Sequence, residues 1–169
     1  MFDSSINQLK EYVHATSVNV LVWGSGLTAR EHFAKRQKIK KAIELSFHTS
    51  DVRFSEDPEL KAMIPGGHEL SIPQQELWHL GACHLCVVLD TSAGPGEEIA
   101  HFVASGFARK LLIFTNEKYK GNTSFPAALR ENQNQVFYSQ TEYDSCSLVD
   151  RVLNRVRVAA LGKYANLAT

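Results

Sequence analysis

The chain has no excess of either charge: 18 lysines and arginines face 18 aspartates and glutamates. No global basic field is therefore available to gather nucleic acid duplexes or anionic lipid. No apolar run approaches the roughly 20 residues that span a bilayer, so no membrane-spanning helix is expected. The opening stretch, MFDSSINQLKEYVHATS, is polar and acidic, unlike a secretion signal. Cysteine is scarce, at three residues, and Cys83 and Cys86 fall in an apolar segment. That odd count points to reduced thiols in a cytoplasmic protein rather than a disulfide framework. Internal repeats and low-complexity tracts are also missing. A chain of 169 residues suits one domain, residues 1–169, with a sizeable core.

What the chain does have is a regular alternation. Ile6, Leu9, Tyr12 and Val13 form a partial apolar stripe that predicts a first helix over Ser4 to Ala15. VNVLVW, Val18 to Trp23, is a continuous apolar run, as in a parallel strand covered on both faces. GSGLTAR then opens a long, basic-faced helix through about Glu44, and DVRFS reads as a second strand. EDPELKAMIPGGHELSIP reads as turns, QQELWHLGA as a helix and HLCVVLD as a third strand. GPGEEIAHFVASGFA is the next helix, followed by KLLIF and QVFYS as strands and a single closing helix from Thr141 to Leu161. Strand and helix in alternation specify a flavodoxin-like doubly wound five-stranded parallel sheet with helices on both faces. Its site is expected beyond the carboxyl ends of the strands, near the switch in strand order.

Two glycine-bearing loops fall at such strand ends. In GSGLTAR, Gly24 and Gly26 let backbone N–H groups approach an anion at a helix start, with Ser25, Thr28 and Arg30 as further donors. A dinucleotide fingerprint fits only loosely, because Glu56 and Asp57 come later than a ribose-binding acid should. The alternative is a plain glycine turn with Thr28 as the helix cap. In DTSAGPGEEIA, Gly94 suits the cap, Pro95 the first helical position, and Glu97 the helix-start carboxylate favoured by the macrodipole. Glu98 differs from its neighbour. Ile99, Phe102, Val103 and Gly106 mark the buried face, and Glu98 lies at its edge, facing the first loop across the cleft.

The strand into GSG…R, the segments QQELWHLGACHL and CVVLD, and GPGEEIAHFVASGFARKLLIF together resemble the nucleoside 2-deoxyribosyltransferase-like family, which includes nucleotide N-glycosidases. The similarity covers about Val20 to Asn116 and is shared in part with TIR domains, which cleave NAD with a glutamate at a similar place. The resemblance implies that Glu98 is the nucleophile and that Ser92 contacts phosphate, with Gly94 and Gly96 beside it. It assigns first-loop anion contacts to Ser25 and Arg30, with Gly24 and Gly26. A carboxylate beneath the anomeric carbon stabilises or bonds to the oxocarbenium-like centre. Glu76 or Asp90 would bind sugar hydroxyls or assist the leaving base.

This chain departs from the family pattern in three places. Leu21 stands where a strand-one tyrosine is usual, Glu76 replaces an aspartate, and His84 replaces an acid before the third strand. Glu76 also reads simply as an exposed helix charge. CHLC, with Cys83, His84 and Cys86, cannot aim three ligands at one metal from one strand and reads as structural side chains. His101 sits within helical reach of Glu98, or at the surface. KIKK, Lys38 to Lys41, is a solvated helix face. Trp23 reads as core at the sheet end, or as a base-stacking ring, and Tyr119 and Phe125 could cover a base.

The expected activity is cleavage of the N-glycosidic bond of a nucleotide, as hydrolase or transferase, with no metal or organic cofactor. The alternatives are a TIR-like NAD glycohydrolase and a non-catalytic nucleotide-binding sensor or partner subunit. The expected partner is a small-molecule nucleotide. A homodimer or larger assembly, through surfaces around Trp78 and Phe102, is also expected.

Overall fold

The computed structural model describes residues 2–25, 29–64, 66, 69–90, 99, 102–120 and 135–167. Five strands, β1 (Asn19–Gly24), β2 (Asp51–Phe54), β3 (Leu85–Asp90), β4 (Leu111–Asn116) and β5 (Gln135–Tyr138), form one sheet in the order β2-β1-β3-β4-β5. Every neighbouring pair is parallel. This is the flavodoxin-like doubly wound order, and it reverses between β1 and β3, where the carboxyl ends of the strands open a crevice.

Alternation along the strands sends side chains to two cores. Val20 and Val22 of β1, Leu85, Val87 and Leu89 of β3, and Leu112 and Phe114 of β4 face one side. There they meet α1 (Phe2–Ala15), α2 (Arg30–Ser46) and the closing helix, through Val13, Ile39, Ile43, Phe47, Val152 and Val156. Leu21, Trp23, Cys86, Val88, Leu111 and Ile113 face the other side, against Leu80, Ile99 and Phe102. Both faces are covered, which is why these strands read as unbroken apolar runs.

Three details depart from the sequence-based expectation. The stretch expected to be turns contains a short helix, α3 (Pro58–Ala62), started by a proline in its first turn and by the Asp57 carbonyl accepting from Leu60 and Lys61 N–H. α4 (Ile72–Ala82) begins two residues earlier than QQELWHLGA, because Ser71 and Gln74 form a reciprocal capping box. The closing helix is two helices, α5 (Gln140–Ser145) and α6 (Leu148–Leu167). Ser139 and Glu142 box the start of α5, and Cys146 ends it in the left-handed region at φ 61°.

The apolar stripe of α1 is mostly not buried. Val13 is in the core, whereas Ile6, Leu9 and Tyr12 are exposed, Tyr12 stacking on Tyr164 of α6 at 5.5 Å. Phe102 is buried at 1% exposure and offers no surface for assembly, in contrast to Trp78, which is 54% exposed. The apolar face that marked Phe102 belongs to the intramolecular core. Among the described residues no helix is long and apolar enough to cross a membrane.

Candidate functional site

At the switch point, the carboxyl ends of β1 and β3 open into a cavity of about 140 Å³ lined by Trp23, Gly24, Ser55, Glu76, Val88, Ile99 and Phe102. Trp23 is buried and stacks on Phe102 at 4.5 Å, so its ring forms the apolar floor as part of the core. Glu76 is half-buried on the wall, not the exposed helix charge its alternative reading describes. A second cavity of about 190 Å³, lined by Ser55, Glu56, Lys61, Ile72, Gln75, Glu76 and His79, shares Ser55 and Glu76 with the first. The two cavities therefore adjoin at Ser55 and Glu76.

The first loop is built on a buried cation. Arg36 of α2 is fully buried, with its guanidinium paired to both carboxylate oxygens of Glu56 at 2.7 Å. It also donates to the Val22 carbonyl at 2.8 Å and to the Ser25 carbonyl at 3.2 Å. The rings of Phe33 and Phe54 lie 5.6 and 4.7 Å from the guanidinium carbon. Burial is the largest single influence and pushes the Glu56 carboxyl up, but the hydrogen bonds and charge of Arg36, with a backbone hydrogen bond and the Ser55 hydroxyl, together hold the group below the usual glutamate range. The backbone at Ser25 is thus fixed from below by a charge-assisted clamp.

Gly24 has a packing reason to be glycine. A Cβ there would lie 3.0 Å from the Leu89 carbonyl oxygen and 3.3 Å from Cδ of Arg36. Close passage of β1 past β3 and the clamp requires the missing side chain, whatever the loop binds. Ser25 is half-buried behind it, and Arg30 is exposed in the first turn of α2. The cap position of α2 is Ala29, which has no side-chain oxygen, rather than the Thr28 of the alternative reading. Asp90 ends β3 beside Thr115 of β4. Gly26, Thr28, Ser92, Gly94, Gly96, Glu97, Glu98, His101 and Phe125 lie outside the described residues. Ile99, which follows Glu98 in the chain, lines the cavity.

No family model matches the chain, and no curated protein matches it. Solved structures do. The CMP N-glycosidase of Clostridium botulinum is similar at 15% identity and a TM-score of 0.46, over 78% of this chain and 97% of that one. A conserved protein of Enterococcus faecalis is similar at 14% identity and a TM-score of 0.47, over 80% and 98% of the two chains. At this level no residue role passes from either protein to this one.

Other residues singled out in the sequence resolve as structure. Cys83 and Cys86 are buried; burial pushes the Cys83 thiol up to about 11 and raises Cys86 as well. Neither thiol is a nucleophile near neutral pH. His84 accepts from the Asn19 N–H through Nδ1 at 2.9 Å, and burial, aided by Lys163 and Lys110, lowers its pKa. Of KIKK, Lys38 and Lys41 are exposed, Ile39 is in the core, and Lys40 pairs with Glu44 at 3.1 Å. A larger open cleft of about 660 Å³ lies at the opposite end of the sheet, beside Cys83, His84, Lys110 and Lys163. Its lysines are engaged: Lys110 Nζ donates to the Leu80 and Gly81 carbonyls, both at 2.9 Å, and Lys163 Nζ to the Ser17 carbonyl at 2.7 Å. Among the described residues no three His, Cys, Asp or Glu side chains gather as a metal site requires.

Sequence reasoning missed Arg36 and His79. Arg36 stands three residues before Ile39 and seven before Ile43, on the buried stripe of α2, and a charge on such a stripe signals a buried partner. His79 is buried beside Leu80 in α4 and had no motif to mark it.

Proposed function

We propose that this chain cleaves the N-glycosidic bond of a nucleoside 5′-phosphate, with Glu98 as the nucleophile. The observation that carries the reading is the cavity at the switch point. It is walled by β1 where the first loop begins, by the Glu76 carboxylate, and by Ile99, the next residue after Glu98. In this reading Ser25, Arg30 and Ser92 hold the phosphate, with Gly24, Gly26, Gly94 and Gly96 allowing the backbone to approach it. Arg36, paired with Glu56, holds the Ser25 backbone in place.

The chemistry divides between two ends of the crevice. The Glu98 carboxylate attacks the anomeric carbon as the bond to the base nitrogen breaks, and the bonding electrons leave with the base. Glu76, half-buried on the cavity wall, binds a sugar hydroxyl or delivers a proton to the departing nitrogen, and Asp90 is the second carboxyl for that role. Water then releases the sugar phosphate and regenerates Glu98; a second base in place of water gives transfer. The partner is a small nucleotide, and an assembly of two copies through the exposed Trp78 surface is part of the same proposal.

A screen of nucleoside monophosphates, their nucleosides and NAD for free base, by chromatography, tests the reading. Release from a monophosphate in preference to its nucleoside supports it. Release from NAD alone assigns the chain to the NAD-cleaving alternative. Nucleotide binding without release from any of them leaves a binding module.

A further inference from the structure

The open cleft of about 660 Å³ sits at the amino ends of β3 and β4, where His84 and Lys110 directly precede the strands. Arg109 and Lys163 of α6 complete its charged wall, and no aspartate or glutamate lines it. Lys110 Nζ donates to the Leu80 and Gly81 carbonyls, and Lys163 Nζ to the Ser17 carbonyl. Carbonyls hold these side chains in place but cancel none of their charge, and each ammonium keeps at least one proton to donate. Among the described residues no carboxylate pairs with Arg109, Lys110 or Lys163, whereas Lys40, Arg53 and Arg151 each have one. Arg155 Nη2 donates to the Arg109 carbonyl at 3.4 Å and brings a further cation beside them. Gathering like charges costs free energy unless an anion offsets it.

His84 senses the resulting field: burial lowers its pKa most, and the Lys163 and Lys110 charges lower it further. Its Nδ1 accepts from the Asn19 N–H, which leaves the neutral ring's proton on Nε2 as another donor. The last carbonyls of α4 would repel an anion, and they are the ones that Lys110 covers. The floor is made by Gly81, Ala82, Ala159 and Gly162 and offers no polar side chain. The volume exceeds what one inorganic ion needs and falls in the range of small-molecule sites, about 300–1,000 Å³. An organic anion therefore fits, with its uncharged part on the small residues. The cationic wall favours a group of charge near −2 over a single carboxylate. A phosphate monoester carries about −1.5 to −2 near neutral pH and turns three oxygens toward guanidinium and ammonium donors.

We propose that this cleft binds a small organic phosphate monoester, held by Arg109, Lys110 and Lys163, at the opposite end of the sheet from the switch point. The site needs no glycosidase activity, and its ligand is not the group cleaved at the other end.

The test uses the full chain with ¹⁵N-labelled histidine, titrated with phenyl phosphate, benzoate, phenol and an oligothymidylate without terminal phosphates. The His84 ring is followed by NMR, its signal assigned with His84→Gln. Saturable His84 shifts are expected with phenyl phosphate, at an affinity at least about tenfold above that for benzoate, and none with phenol. Arg109→Gln should weaken phenyl phosphate at His84 by about tenfold or more, and Arg109→Lys should restore part of it. Lys163→Gln should weaken it likewise; if loss of its bond to Ser17 prevents folding, Arg109→Gln still decides. Arg30→Ala, at the other end of the sheet, should leave it unchanged. An unmoved His84 ring at saturating phenyl phosphate, an equal response to benzoate or phenol, or unaltered affinity in Arg109→Gln would each overturn the inference. Tighter binding of the oligothymidylate at His84 would overturn it in favour of a nucleic-acid backbone. Base release without a His84 response removes this site and leaves the glycosidase reading standing. A His84 response without base release does the opposite.

Discussion

Replacing Arg36 by methionine keeps most of the side-chain bulk between Phe33 and Phe54 but removes four hydrogen bonds: two to Glu56 and one each to the carbonyls of Val22 and Ser25. Breaking a buried ion pair on one side costs about 3–5 kcal/mol, because the remaining charge stays desolvated. The Glu56 side chain is 28% exposed and recovers some water, so the lower end, about 3 kcal/mol, is expected. For a chain of this length that lowers Tm by roughly 6–12 °C. Urea unfolding followed by tryptophan fluorescence and by circular dichroism measures it. Glu56 also fixes how the penalty varies with pH. Its folded pKa lies below the unfolded one, so the stabilisation is complete above the ordinary glutamate value of about 4.3 and is lost as pH falls through the folded value. The gap between wild type and Arg36→Met should therefore be constant near neutrality and close in acid. A gap under about 1 kcal/mol at pH 7, or one that widens in acid, would refute the clamp.

Other expectations follow from single contacts. Gly24→Ala places a Cβ 3.0 Å from the Leu89 carbonyl and should cost about 1–3 kcal/mol in chemical denaturation; an unchanged midpoint would show that β1 and β3 separate freely there. His79 and His84 both have folded pKa values below the unfolded value of about 6.5, so their contribution is complete above that pH and is lost as pH falls toward the folded values. Stability should thus begin to decline below about pH 6.5, and His79→Phe, if folded, should flatten part of that decline; an identical slope in the variant would contradict the burial of a neutral ring.

The fold was legible because both faces of the sheet are covered. VLVW, LCVVL and LLIF within the strand segments are apolar at every position, and that pattern in alternation with helices admits few other arrangements. What stayed illegible depends on contacts between distant segments. Arg36 and Glu56 are 20 residues apart, and neither belongs to a motif. Gly24 read as an anion-binding glycine, yet its immediate reason is the approach of Leu89 and Arg36, which only the β1–β3 register reveals. The break at Cys146 was hidden because apolar and polar residues continue at helical spacing across it, and only its left-handed backbone separates α5 from α6. Of the candidate site, the strand-end crevice follows from the topology, and Glu76, which the resemblance named, lines a cavity there. His79 was not readable, since a lone histidine in an apolar helix gives no sign of the cavity beside it.

The central claim concerns two adjacent carboxylates. Glu97, as a helix-start residue, should tolerate glutamine at a cost of about 1 kcal/mol or less and keep its activity. Glu98→Gln removes the anion while preserving shape, so it should keep fold and nucleotide affinity while losing base release by orders of magnitude. The direct measurement is the rate of free-base release from the best nucleoside monophosphate by wild type, Glu97→Gln and Glu98→Gln, each shown to be folded and to bind the nucleotide. Loss confined to Glu98→Gln is the predicted result. Turnover that survives in Glu98→Gln, or disappears in Glu97→Gln alone, would contradict it.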